Sequence, residues 1–150
     1  MKRRIRSGLL ACALLLTALP LGAQRSEPRS APSLEQFVAE VARLWARGDA
    51  NGVAALGADA GVAVELGAAR GTVQERHAAA ALRGLFGEAE TVSVRILRSA
   101  RAGGRPPRGF GEFAWTTRPR GTGAPQTAGV YVGAALDEGR WEIRELRVIP

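Results

Sequence analysis

From Ser33 onward the apolar positions of the chain fall first at helical and then at strand spacing. Leu34, Phe37, Val38, Val41, Leu44 and Trp45 recur at intervals of three and four, the pattern of an amphipathic helix with one buried stripe. Ser33 with Gln36 three residues on predicts a capping box at its start, and Gly48 a left-handed stop at its end. Asp49 is placed to cap a short second helix containing Val53, Ala54 and Leu56. Val62, Val64 and Leu66 alternate with Ala63 and Glu65 between Gly61 and Gly67, which predicts a strand. Thr72 and Glu75 read as a second capping box. It opens a helix to about Phe86, with Ala78, Ala81, Leu82, Leu85 and Phe86 as its stripe.

Beyond Phe86 the period drops to two. Val92, Val94 and Ile96 alternate with polar residues, and after a Gly/Pro/Arg loop Phe113, Trp115 and Thr117 do the same. Val130, Val132, Ala134 and Leu136 follow a turn over residues 118–125. In the last run Trp141 and Ile143 share one parity while Leu146 and Val148 share the other, which predicts a β-bulge near Arg144-Glu145. Four antiparallel strands with one face on a core are expected, and with the helices before them the fold class is α+β.

The 32 residues before this domain follow neither period. Lys2, Arg3, Arg4 and Arg6 precede an apolar run from Leu9 to Leu19, and Leu21-Gly22-Ala23 offers small residues before Gln24. Residues 1–23 therefore read as a secretory signal peptide, since the run is about half the roughly 20 residues a spanning helix needs. Leu9-Leu10-Ala11-Cys12 resembles a lipoprotein box, but the apolar stretch follows the cysteine instead of preceding it. Residues 24–32, polar and punctuated by Pro28 and Pro32, read as a flexible leader, and residues 33–150 as a single domain. The expected location is periplasmic or secreted.

Charge changes once the signal is set aside. The net +7 includes four of the 21 basic residues in that segment, leaving 17 against 14 acidic residues, or +3. That balance and an exported address argue against a nucleic-acid partner. Cys12 is the only cysteine, so the exported chain would hold no disulfide and no thiol nucleophile. One histidine and scattered carboxylates give no metal-ligand spacing, and no cofactor is expected. Between positions 95 and 120, Arg95, Arg98, Arg101, Arg105, Arg108, Arg118 and Arg120 meet a single acid, Glu112. They read either as solvated loop arginines or, gathered at adjacent hairpin ends, as a patch for an anionic surface.

The order helix, short helix, strand, helix and four meandering strands resembles the nuclear transport factor two-like superfamily of α+β cones. The resemblance rests on that order and on Trp45 to Asp49, Gly71, Leu85-Phe86 and Gly139 to Ile143. It implies a strongly bent antiparallel sheet wrapping the helices around an apolar pocket, on a scaffold that serves enzymes, ligand binders and interaction modules alike. Ketosteroid isomerases and related dehydratases or epoxide hydrolases place an Asp, His, Tyr or Arg inside that cone. Here Asp49, Asp59 and Asp137 fall at turns or helix starts, where aspartate ordinarily caps, and none of those catalytic patterns carries over.

Candidate cavity-lining residues are Gln74 and His77 on the third helix and Phe113 and Trp115 on a strand. Each has a plainer alternative: Gln74 and His77 at the surface, and the aromatics as core. Tyr131 lies on the parity opposite Val130 and Val132, facing solvent or a homodimer interface through the sheet. These residues point to an exported, non-catalytic binding or accessory domain. Its partner is a small apolar ligand, an envelope protein or an anionic surface. The alternative is a small-molecule isomerase, dehydratase or hydrolase using the cone cavity.

Overall fold

The computed structural model describes residues 32–121 and 123–150; the segment read as a signal peptide, and the one read as a leader apart from Pro32, lie outside the described residues. Helix α1 runs Leu34–Ala46, and its capping box is formed: Ser33 Oγ accepts from Gln36 N at 3.2 Å and Gln36 Oε1 from Ser33 N at 2.9 Å. Gly48 ends the turn at φ 64°, and Asp49 caps α2 (Ala50–Ala55) by accepting from Gly52 N at 2.8 Å. After α2 the chain is pinned to the last strand, where Ala58 N donates to Ile143 O and Ile143 N to Leu56 O. That pinning delivers β1 (Val62–Leu66) beside β6 (Arg140–Ile149) and parallel to it.

The next element differs from the sequence reading. Thr72 does not cap a helix; it lies in a strand, β2 (Ala69–Val73), paired antiparallel with β1, and α3 (Glu75–Glu88) begins two residues later than expected, behind Gln74. Strands β3 (Ala89–Ala102), β4 (Arg108–Pro119), β5 (Gln126–Asp137) and β6 form the expected meander. The result is one curled, unclosed sheet in the order β2-β1-β6-β5-β4-β3. The bulge expected in the last strand is present: the register steps from Gly133↔Glu145 to Ala134↔Ile143, leaving Arg144 unpaired. Two further bulges break β3, at Val92 and Leu97. They explain why Val92 is exposed instead of facing the core; Ile96, opposite Phe113, is 42% exposed because no strand lies beyond β3.

The helices α1 and α3 cover the concave side. Helix α1 comes down onto the backbone of β4 because Gly109 and Gly111 stand at inward positions. A Cβ on Gly109 would lie 2.5 Å from Leu34 Cδ2, and one on Gly111 2.5 Å from Val38 Cγ1. Val38 is stiff and 1% exposed, so it has nowhere to go. Gly111→Ala is expected to destabilise by about 1–3 kcal/mol through overpacking, measured by denaturant unfolding. A loss of a few tenths would show that the helix can lift without cost.

Candidate functional site

Where the superfamily resemblance implies a pocket, this chain has aromatic rings. The inward positions that the helices cover are Gly109, Gly111, Phe113 and Trp115 on β4, Val130, Val132 and Ala134 on β5, and Trp141, Ile143 and Leu146 on β6; Thr117 and Gln126, of the same parity, lie at the less buried strand end. All the covered positions are apolar or glycine. Trp45, from α1, is fully buried against three rings: Phe86 at 5.2 Å between centroids, Phe113 at 5.6 Å and Trp115 at 5.6 Å, each edge-to-face. This is the arrangement that aromatic quadrupoles favour. Trp115 donates its indole N–H to Thr91 Oγ1 at 3.0 Å, whereas Trp45 Nε1 is buried with no hydrogen-bond partner. Phe113 and Trp115 thus belong to a packed core, at 0% and 4% exposure, and form no ligand platform at a cone mouth.

Gln74 and His77 are both exposed. Gln74 is the N-cap of α3 without a side-chain capping bond and borders a shallow surface hollow with Asn51, Arg76 and Arg83. His77 stands in the first turn, while the buried stripe of the helix is Ala78, Ala79 and Leu82. Neither is placed to act as an acid or base inside the cone. Among the described residues no three His, Cys, Asp or Glu side chains cluster as metal ligands.

The seven arginines do not gather at one hairpin end. Consecutive hairpins of a meander turn at opposite ends of the sheet. Arg101, Arg105 and Arg108 therefore lie at one end of β4 and Arg118 and Arg120 at the other, roughly 34 Å away at strand rise. Arg95, Arg98, Arg108 and Arg118 share the outward parity and make a stripe along the β3–β4 hairpin, whereas Arg101, opposite Gly109, lies on the inward side with its guanidinium 6.0 Å from the Trp141 ring. Arg120 is tied down, donating from Nε to the Gly87 carbonyl at the C-terminal turn of α3 (2.8 Å), where a cation suits the helix end.

The outer face of the sheet carries the polar chemistry. Arg98 pairs with Glu112 through two hydrogen bonds of 2.8 and 3.0 Å. This guanidinium holds the Glu112 carboxyl below its ordinary range and is itself raised by the same bonds. The Arg98 guanidinium lies 5.2 Å from the Phe110 centroid, Phe110 stacks on Tyr131 at 5.8 Å, and Arg147 lies 4.7 Å from Tyr131. The four side chains form one cation–aromatic–aromatic–cation ladder over β3 to β6. Tyr131 therefore points outward, as its parity predicts. Phe110 escaped notice in the sequence because its partners come from other strands.

Beside the ladder is an open concavity of about 670 Å³ bounded by Pro106, Arg108, Phe110, Tyr131, Asp137 and Arg144. A second, of about 520 Å³, shares Asp137 and Arg144 and includes Glu142. Glu142 is the one buried charged side chain among the described residues. It accepts from Arg140 Nη2 at 2.8 Å and Arg144 Nη2 at 3.3 Å, and Arg144 also reaches Asp137 Oδ2 at 3.2 Å. A carboxylate held by two guanidiniums fixes the strand end.

No protein-family model and no curated protein sequence matches the chain. Solved structures do resemble it. One is a ketosteroid isomerase-like protein from Erwinia carotovora atroseptica, at 16% identity and a TM-score of 0.63 over 81% of this chain and 96% of that one. A DUF4783 family protein from Bacteroides uniformis matches at 14% identity and a TM-score of 0.61, over 74% of this chain and 94% of that one. A hypothetical protein from Catenulispora acidiphila with a ketosteroid isomerase-like fold, solved in complex with trimethylamine, matches at 17% identity. Its TM-score is 0.61 over 79% and 87% of the two chains.

Proposed function

We propose that this domain of nuclear transport factor two-like fold is a non-catalytic binding module that meets its partner on the outside of the cone. The observation that carries the reading is the filled interior: Trp45, Phe86, Phe113 and Trp115 pack against one another where a substrate would sit. A site for isomerisation, dehydration or hydrolysis needs convergent polar groups in a pocket, and the covered inward positions of β4, β5 and β6 supply apolar side chains. The outer surface holds the arginine stripe, the aromatic ladder and the open concavities. Residues 1–23 support an exported location, periplasmic or secreted. N-terminal sequencing of the exported form is expected to find a start near Gln24, and an intact Met1 would contradict it.

Indole and methyl resonances followed by NMR during titration with small apolar probes, a steroid among them, test the reading. No saturable shift of Trp45, Phe113 or Trp115 is expected. A saturable shift confined to those residues would put a ligand in the cone and favour the enzyme alternative.

A further inference from the structure

The edge formed by β3 carries an arrangement that a sheet edge ordinarily avoids. It ends the strand order, it is 14 residues long, and three of the four exposed large apolar side chains among the described residues lie on it. These are Val92 at 49%, Ile96 at 42% and Leu97 at 50%. Natural edges are kept short, charged or covered, because their unpaired N–H and C=O groups template another strand. The two bulges of β3 twist this edge, but they leave Ser93–Ile96 and Arg98–Ala102 as regular stretches. The same strand bears Arg95, Arg98 and Arg101 against Glu90 alone. Arg98 is paired with Glu112, and among the described residues Arg95 has no carboxylate within ion-pair distance; Arg101, opposite Gly109, lies on the inward side with its guanidinium 6.0 Å from the Trp141 ring.

We propose that β3 is a strand-addition site for an extended acidic polypeptide that alternates carboxylates with aliphatic side chains. The row of edge amides and carbonyls takes the backbone of the incoming strand, as in other β-augmentation complexes. The aliphatic residues extend the inward face beside Ile96, and the carboxylates fall on the outer face, where Arg95 and, across the Leu97 bulge, Arg98 lie. Charge decides against a second copy of this chain, since adding β3 to β3 brings the arginines of both strands into one strip about 4.8 Å across, where like charges repel. The backbone decides against a lipid surface, because acyl chains leave edge N–H and C=O groups without hydrogen bonds. The proposal rests on the reading of the domain as a module that binds on its outside.

The test uses a fluorescein-labelled ten-residue peptide alternating glutamate with valine and isoleucine, its lysine counterpart, and the acidic peptide N-methylated at alternate residues. Fluorescence anisotropy is expected to show saturable binding of the acidic peptide only, weakening as salt rises. Arg95→Glu is expected to raise its Kd roughly fivefold, as loss and reversal of one ion pair implies, at unchanged melting temperature. Amide exchange should slow within residues 93–102. Equal binding of the lysine or N-methylated peptide, protection elsewhere, or no acidic-peptide binding overturns the proposal, as does β3-dependent dimerisation or capture by phosphatidylglycerol vesicles in its place. If the peptide fails while apolar probes still do not enter the core, the edge proposal alone falls. If the probes enter the core, the outside-binding reading falls with it.

Discussion

Replacing Trp45 by alanine is expected to cost about 3–5 kcal/mol of stability, the range for truncating a large aromatic in a well-packed core. Trp45 is fully buried and stands at the centre of the contacts with Phe86, Phe113 and Trp115. Those rings come from α3 and β4, so no single segment can collapse into the gap. The truncation also removes an indole N–H that is buried without a partner, which offsets a small part of the loss. A dry apolar cavity of this kind takes up benzene. Benzene should therefore raise the melting temperature of Trp45→Ala and leave the wild type unmoved. A loss below about 1 kcal/mol would show that the aromatic cluster is not the centre of the core.

Trp141→Ala is expected to be of similar size, about 3–5 kcal/mol, for a different reason. Trp141 opens β6 on the inward parity at 3% exposure, opposite Leu136. With Phe37 and Leu56 it walls an apolar groove of about 260 Å³ between α1, α2 and β6. Its ring also carries the Arg101 guanidinium at 6.0 Å. Removing it loosens the strand that β1 and the segment after α2 both hold. A melting temperature within a degree or two of wild type would show that β6 is held by its backbone ladder alone.

The starts of α1 and α2 and most of the strand parity were legible in the sequence because they depend on neighbours one to four residues away; the start of α3 was not, since Thr72 is taken by β2. Ser33 and Gln36, Asp49 and Gly52, and the parity change between Ile143 and Leu146 all act at that range. Strand β2 was not legible. Its residues Ala69 to Val73 are half-buried only at the two ends, so no apolar alternation announces it, and its existence depends on pairing with β1. The bulges of β3 were hidden for the same reason, since Val92 and Val94 read as one face until β4 fixes the register.

The filled cone did leave a trace: Gly109 and Gly111 alternate with Phe110 and Glu112, and glycine at inward strand positions marks close approach of another element. That trace points to α1 sitting directly on the sheet, which removes the room a cavity needs. The outer ladder left none, because Arg98, Phe110, Tyr131 and Arg147 come from four different strands. Spacing along the chain carries no information about such diagonal neighbours.

Xenon-pressurised crystals of the wild-type protein test the central claim most directly, because xenon occupies dry apolar voids irrespective of their chemistry. The filled interior predicts no ordered xenon among Trp45, Phe86, Phe113 and Trp115. A well-occupied xenon atom inside that ring of aromatics would show an open cone and return the domain to the cavity-using enzymes of its fold.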